Sequence, residues 1–516
     1  MKSACKIAIL TALLLSGGGA FGFVLRARNS SATQGSDQDS RARIDEILRS
    51  PVFSTGQVGV LALTMDGDTL AANGHLRKMV PASNAKLLTT GAALLEFGPD
   101  YRFETTLAYS GTVRDGVLEG DLYIVGGGDP TLGASCECAR PIQSVFQEWT
   151  RLISDAGIRR IGGRVVGDPR FFSGIPECMD WSYDDLGRYY GAGPAGLNFY
   201  ENSQLIEVYP ASEAGAAPSV ILKYPYTPWM CLVNSAVTTA KGGGRDLWVT
   251  NTDFGPFVRL NGHLTVGGMA NVRASNRYPA YTCAYYFKTW LEEKGILSAG
   301  CADVSPEGFV RTDLLFSSCG SPAADPSSLT VLGSTESANL AMIVSKTNRE
   351  SDNFYAETLM HMIGVSRRGS SDYGSSRPAL TDALASLGLK TSGRCRVYDG
   401  SGLSRQNYVS PDFMVEYLRR MMRTKVGDRF LHSLPQPGEG TLSERLRGKS
   451  EDIRSRVYMK SGSMDGVRCY SGYILSPDGD SGHDIAFSIL TGNITAPASS
   501  LLPLIDEIIA ILAAGK

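Results

Sequence analysis

This chain has almost no net charge and very few histidines. Its 516 residues carry 50 Lys and Arg against 52 Asp and Glu, a formal net charge of −2. No basic run and no acidic tail is present, so no strong field draws the chain to nucleic acid or to an anionic membrane. The histidines are His75, His263, His361, His432 and His483. None is paired at metal-ligand spacing, so a zinc hydrolase or a histidine-based triad lacks support. Cys136 and Cys138 stand two apart, with no second cysteine pair and no nearby histidine, which leaves a zinc reading weak. Gly126-Gly127-Gly128-Asp129-Pro130 lacks the Lys-Ser/Thr end of a phosphate loop and reads as a sharp turn. Gly479-Asp480-Ser481-Gly482 mimics the nucleophile signature of trypsin-like proteases but follows Ser476-Pro477-Asp478 and reads as a hairpin turn. No fixed-period repeat is visible. Neither a metal nor a cofactor is expected.

What is present is ordinary globular material, 43% hydrophobic and 20% charged, in a chain long enough for two or three domains. Lys2 and Lys6 precede an apolar run from Ile7 to Leu15 and then small residues from Ser16 to Ala20. That is the order of a secretory signal, cleaved after Ala20 or Gly22. Apolar character continues to Leu25, so a retained anchor helix is the alternative. Either way the remainder is exported. Nine cysteines follow the signal, and in an oxidising compartment some should pair, with at least one left over.

Residues 1–22 are therefore assigned to the signal and 23–40 to a Ser-, Gln- and Asp-rich linker. Residues 41–50 read as a short helix, 57–64 as a strand, and 84–97 as an Ala- and Leu-rich helix stopped by Gly98-Pro99. From 101 the texture becomes strand-rich and Gly-rich. Residues 102–109 alternate, with a partner strand expected over 118–125 and a helix over 141–153. Residues 106–325 form one or two nested β-rich inserted domains. Helices are expected at 337–344 and 353–363. The C-terminal part reads as strands at 456–461, 470–475 and 484–490 and a closing helix at 501–513. Together 41–105 and 326–516 make an α+β domain, an antiparallel sheet covered by helices.

Three short motifs carry chemistry. In Ser83-Asn84-Ala85-Lys86 a helix places residue i+3 on the face of residue i, so an amine lies one turn from a hydroxyl and can take its proton. The helix start adds backbone N–H groups for a developing anion. In Ser351-Asp352-Asn353 a hydroxyl can relay a proton to a leaving amine and a carboxamide can hold a substrate amide. Ser337-Ala338-Asn339 has the same spacing and is a built-in control. In Lys460-Ser461-Gly462-Ser463 a strand edge can pair with a substrate backbone, Gly462 allows close approach, and Lys460 and Ser461 can meet a carboxylate.

Each motif alone fits a cap, a turn or a polar strand end. In this order, each on the element it needs, the three resemble the Ser-x-x-Lys, Ser-x-Asn, Lys-Thr/Ser-Gly set of penicillin-binding proteins and serine β-lactamases. The long gap from Ser83 to Ser351 resembles the D-alanyl-D-alanine carboxypeptidase/endopeptidase family, the class C low-molecular-mass penicillin-binding proteins, which nest extra domains there. Gly120 to Pro130, Asp399 to Arg405, Gly440-Thr441-Leu442 and Lys346 to Asn353 are similar to its other signatures. Ser461 departs from the threonine of many members but keeps the hydroxyl.

The resemblance implies a penicillin-binding/β-lactamase-like transpeptidase domain split by inserted domains. It implies serine-type hydrolysis of the D-Ala-D-Ala bond in peptidoglycan stem peptides, as carboxypeptidase, endopeptidase or both, with β-lactams as inhibitors. Ser83, Lys86, Ser351, Asn353 and Lys460 would be catalytic, and Ser461, Gly462 and Ser463 would bind substrate. A serine β-lactamase would need a deacylating carboxylate in a loop after the first motif, and no convincing Glu-x-x-Leu-Asn occurs. A catalytically inactive wall-binding protein is opposed by the intact catalytic set.

Overall fold

A computed structural model describes residues 30–252, 255–314 and 320–515. The assigned signal, Cys5 and Cys319 lie outside the described residues. Among the described residues no helix is long and apolar enough to cross a membrane.

The sheet that organises the molecule is antiparallel and five-stranded. Its order is Thr69–Asn73, Gln57–Thr64, Ile485–Gly492, Val467–Ile474, Val457–Met464. An N-terminal hairpin thus zips onto the three last strands, and Val457–Met464 is left at an edge. Successive side chains on a strand point to opposite faces, and here both faces are apolar because helices cover both. Val60, Phe487 and Ile489 pack against Ile505, Ile508 and Ile509 of the closing helix Ala498–Ala514. Their neighbours Leu61, Leu490 and Tyr473 pack against Leu87, Phe413 and Tyr417 from helices Ala85–Phe97 and Pro411–Met422.

The chain leaves this body and returns to it side by side. Arg102–Tyr109 pairs antiparallel with Thr330–Asn339, Thr105 opposite Thr335. Both belong to a seven-stranded sheet covered by helices Ile142–Asp155 and Pro279–Glu293. Between helix and sheet, Val145, Phe146, Trp149 and Phe287 share a core with Leu107, Ile124 and Val165. A smaller β unit spans 203–275. It has its own core of Ile206, Val208, Val249, Leu260 and Leu264, and its ends meet, Ser203 opposite Ser275.

Four expectations change. Residues 30–40 are not a linker but part of helix Ser30–Leu48. The buried Ile44 docks its far end, and extending a nucleated helix costs little per residue. The strand foreseen over 118–125 breaks into Val117–Glu119 and Leu122–Gly126, which join different sheets. At Gly120 a Cβ would lie 1.9 Å from the Ser110 carbonyl oxygen. The helix foreseen at 337–344 starts only at Leu340. Asn339 caps it by accepting from Met342 N at 3.1 Å, and Ser337 accepts Phe103 N at 2.9 Å, so the control motif is structural. Finally, the eight described cysteines, Cys136, Cys138, Cys178, Cys231, Cys283, Cys301, Cys395 and Cys469, are all free thiols.

Candidate active site

The site forms where helix Ala85–Phe97 meets the edge strand and the gap between two further helices. A short 3-10 turn, Ala82–Asn84, leads into the first helix, so Ser83 sits just before its N-terminus. Ala82 holds φ at +46°, a conformation that costs a non-glycine residue energy and marks functional turns. Two close packings hold this turn. Gly402, at φ +84°, leaves room for the Ala82 carbonyl, which a Cβ would approach to 1.9 Å. Gly462 lies against Pro81 O and Asn84 N, where a Cβ would stand 2.7 and 3.1 Å away. Asn84 staples the turn to the sheet, its Nδ2 donating to Lys460 O at 2.9 Å.

Lys86 is the hub. Its fully buried side chain donates from Nζ to Ser83 Oγ at 2.9 Å, Asn353 Oδ1 at 2.6 Å and Ser401 O at 2.8 Å. The first two motifs, far apart in sequence, therefore share one nitrogen. Burial pulls the Lys86 ammonium down to about 8, while Asp399, then Asp352 and Glu357, hold it from falling further. A buried amine near neutrality can act as a base, whereas a solvent-exposed lysine cannot.

Helix Leu340–Glu350 ends at Ser351, whose backbone is left-handed at φ 60°, ψ 37°. The next helix, Asn353–Arg368, opens at once, capped by Asp352. Asn353 is fixed at both ends of its amide, Oδ1 accepting from Lys86 and Nδ2 donating to Tyr190 O at 2.9 Å. The third motif lies on the edge strand. Lys460 is fully buried and donates to Ser461 O at 2.8 Å. Burial first, then the Lys86 charge, push its amine well below the ordinary lysine range. Ser461 Oγ donates to Thr441 Oγ1 at 2.8 Å, and Ser463 is exposed along the unpaired edge.

Two carboxylates behind Lys86 were not singled out from the motifs. Glu357 Oε1 and Oε2 accept from Ser401 N and Gly400 N at 2.7 and 3.1 Å. Burial, then Asp399, push its acid up to about 7. Asp399 accepts from Gly402 N, Asn407 Nδ2 and Trp181 Nε1 at 2.7, 2.7 and 2.9 Å. Together they fold the 399–404 loop that presents Ser401 O to Lys86. A signal existed: Glu357 lies four residues after Asn353, on the same helix face.

The arrangement joins a hydroxyl to a desolvated base, beside a carboxamide, a second buried amine and an open strand edge. Comparison with known proteins gives the family. The D-Ala-D-Ala carboxypeptidase 3 (S13) family matches residues 40–503. A D-alanyl-D-alanine carboxypeptidase of Actinomadura sp. (strain R39) is 30% identical over 474 residues, 89% of this chain and 82% of that protein. The D-alanyl-D-alanine carboxypeptidase DacB of Haemophilus influenzae is 25% identical, over 82% of this chain and 83% of its own length. The crystal structure of penicillin binding protein 4 (dacB) from Haemophilus influenzae shares the fold, with a TM-score of 0.75 at 22% identity over 91% of this chain and 97% of that one. A second crystal structure of that protein, complexed with a β-lactam, gives a TM-score of 0.70. The chain therefore belongs to the D-Ala-D-Ala carboxypeptidase 3 (S13) family and is a serine-type hydrolase.

Proposed function

We propose that this protein is exported and cleaves the D-alanyl-D-alanine bond of peptidoglycan stem peptides, at stem termini, in cross-links or both, through an acyl-serine at Ser83. The observation that carries this reading is the 2.9 Å contact between Ser83 Oγ and a fully buried Lys86 whose amine is held near 8.

Ser83 Oγ attacks the carbonyl carbon between the two D-alanines while its proton passes to Lys86 Nζ. The backbone N–H groups of Ser83 and Ser463 hold the oxyanion. Asn353 positions the substrate amide. Ser351 and Lys460 deliver a proton to the leaving amine, the C–N bond breaks, and D-alanine departs. Water then releases the shortened peptide. Lys460, Ser461 and the unpaired strand edge at Gly462 and Ser463 receive the terminal carboxylate and backbone. An arriving carboxylate supplies the counter-charge that the buried Lys460 amine lacks, so substrate raises its proton affinity. A β-lactam takes the same path to the acyl-enzyme and leaves slowly. In this reading 41–105 and 326–516 are the catalytic unit and 106–325 the inserted one.

Fluorescent penicillin is expected to label the purified protein at Ser83. Ser83→Ala should abolish both labelling and D-alanine release. Labelling that survives the substitution refutes the nucleophile assignment.

A further inference from the structure

Cys136 and Cys138 have no part in the chemistry above, yet they sit against the element that carries Asn353. Ala139 N donates to Cys136 O at 3.0 Å, closing a tight turn. The two thiols stand close enough to set each other's proton affinity, Cys136 lowered and Cys138 raised. Residues two apart in such a turn fall within the Cα separation that a disulfide spans. Cys136 is half-buried and Cys138 buried.

The pair faces a chain of contacts that leads to the site. Cys136 Sγ lies 3.6 Å from Tyr355 Oη. Tyr355 is fully buried, two residues after Asn353, and donates to Glu201 Oε1 at 3.2 Å. Glu201 also meets Lys346 Nζ at 3.3 Å and Arg273 Nη2 at 2.9 Å, and the Lys346 ammonium stands 5.0 Å over the Tyr355 ring. These contacts pin the first turn of helix Asn353–Arg368, whose first residue binds Lys86. The Cys138 hydrogen bond, then Tyr355 and the charge of Lys346, bring the Cys136 thiol down to about 7 against the opposing effect of burial. Burial instead pushes Cys178, Cys395 and Cys469 up to about 12. Thiolate character decides which cysteine reacts first, and it selects Cys136. The Cys138 thiol beside it is pushed up by Cys136 and by burial, and is freed of the first of these once the Cys136 charge is consumed.

We propose that Cys136 and Cys138 form a thiol–disulfide site that reacts with disulfide oxidants and thiol reductants, and that its redox state sets the acylation rate through Tyr355. The Cys136 thiolate attacks one sulfur of a small disulfide, breaking its S–S bond, and forms a mixed disulfide while one thiolate leaves. Cys138, deprotonated, attacks the Cys136 sulfur. The protein disulfide forms and the second thiolate leaves. Two electrons pass to the oxidant, and the two protons lost by the cysteines are taken up by the leaving thiolates. The new bond turns the Cys136 sulfur away from Tyr355 and removes its charge beside Lys346. The first turn that holds Asn353 then loosens, and acylation slows.

The acylation arm rests on the proposed role of Ser83, whereas the thiol arm does not. The full chain is treated with oxidised glutathione or with dithiothreitol and read by intact mass, peptide mapping and the rate of fluorescent-penicillin labelling. Oxidation is expected to remove two hydrogens, to link Cys136 to Cys138, and to slow labelling about two- to thirtyfold, the span of couplings of about 0.5–2 kcal/mol. Dithiothreitol should restore the rate. The rate of oxidation should rise through about pH 7, as a lowered Cys136 thiol requires. Cys136→Ser should label at the reduced enzyme's rate under both treatments, whereas Cys138→Ser, with no resolving thiol, should gain one glutathione at Cys136 under oxidation and lose it to dithiothreitol. No 136–138 bond overturns the site, and a bond that leaves labelling unchanged overturns the coupling. A chain that is never labelled, oxidised or reduced, sinks the Ser83 assignment and the coupling with it, while the thiol site stands or falls on mass alone.

Discussion

Lys86 shows how one residue gathers its chemistry from three directions. Its spacing from Ser83 is legible in the sequence, because a helix turn fixes it. Its reduced proton affinity is not, because that comes from burial against Ser401 O and Asn353, residues far along the chain. If neutral Lys86 is the base, labelling by penicillin should accelerate as pH rises through about 8. Asp352 raises the Lys86 proton affinity by its charge, and asparagine caps a helix as well as aspartate does. Asp352→Asn should therefore keep the helix but make Lys86 easier to deprotonate. The alkaline-rising limb should move to lower pH by a few tenths of a unit, about two- to threefold in rate at neutral pH. A limb that stays in place, or moves up, contradicts Lys86 as base.

The same division appears among elements. Strand Gln57–Thr64 follows from its short continuous apolar run and helix Ile142–Asp155 from its apolar periodicity, the strand buried on both faces and the helix on the one that the pattern marks. Strand Thr330–Asn339 does not, since its partner is Arg102–Tyr109, more than two hundred residues earlier. Long-range pairing overrides local preference there. The contact between the edge strand and the Ser83 turn gives an element-scale test. In Gly462→Ala the added methyl meets Pro81 O, Asn84 N and Asn84 Nδ2 at 2.7, 3.1 and 3.1 Å. Backbone atoms cannot give way as a flexible side chain would. The strand should shift off the turn, with a loss of about 1–3 kcal/mol in stability. Labelling should slow about ten- to a hundredfold, since sub-ångström misplacement is costly in catalysis. Melting and labelling rate report the two effects, and an unchanged labelling rate would mean that this packing does not place Ser83.

For the whole molecule, separate cores decide what can be removed. The 203–275 unit packs on its own apolar residues and contributes none to the core around Lys86. Its ends are opposite partners, Ser203 and Ser275, so a short hairpin turn can replace 204–274. The shortened protein should fold and still be labelled at Ser83. A cooperative melt with labelling lost would show that the unit supports the site, through Arg273 and Glu201 or the Tyr190 carbonyl that holds Asn353. The sequence by itself determined the spacing of Ser83 and Lys86, the three motifs and their order, the apolar faces and the existence of a large insertion. Those depend on spacing within one turn or one strand, which local geometry reads directly. Only the tertiary structure decided that Glu357 and Asp399 stand behind Lys86, that Thr441 meets Ser461, and that a cysteine turn touches Tyr355. Each of those contacts joins segments whose separation in the chain carries no periodic trace, and burial, which sets their proton affinities, exists only once the segments have packed.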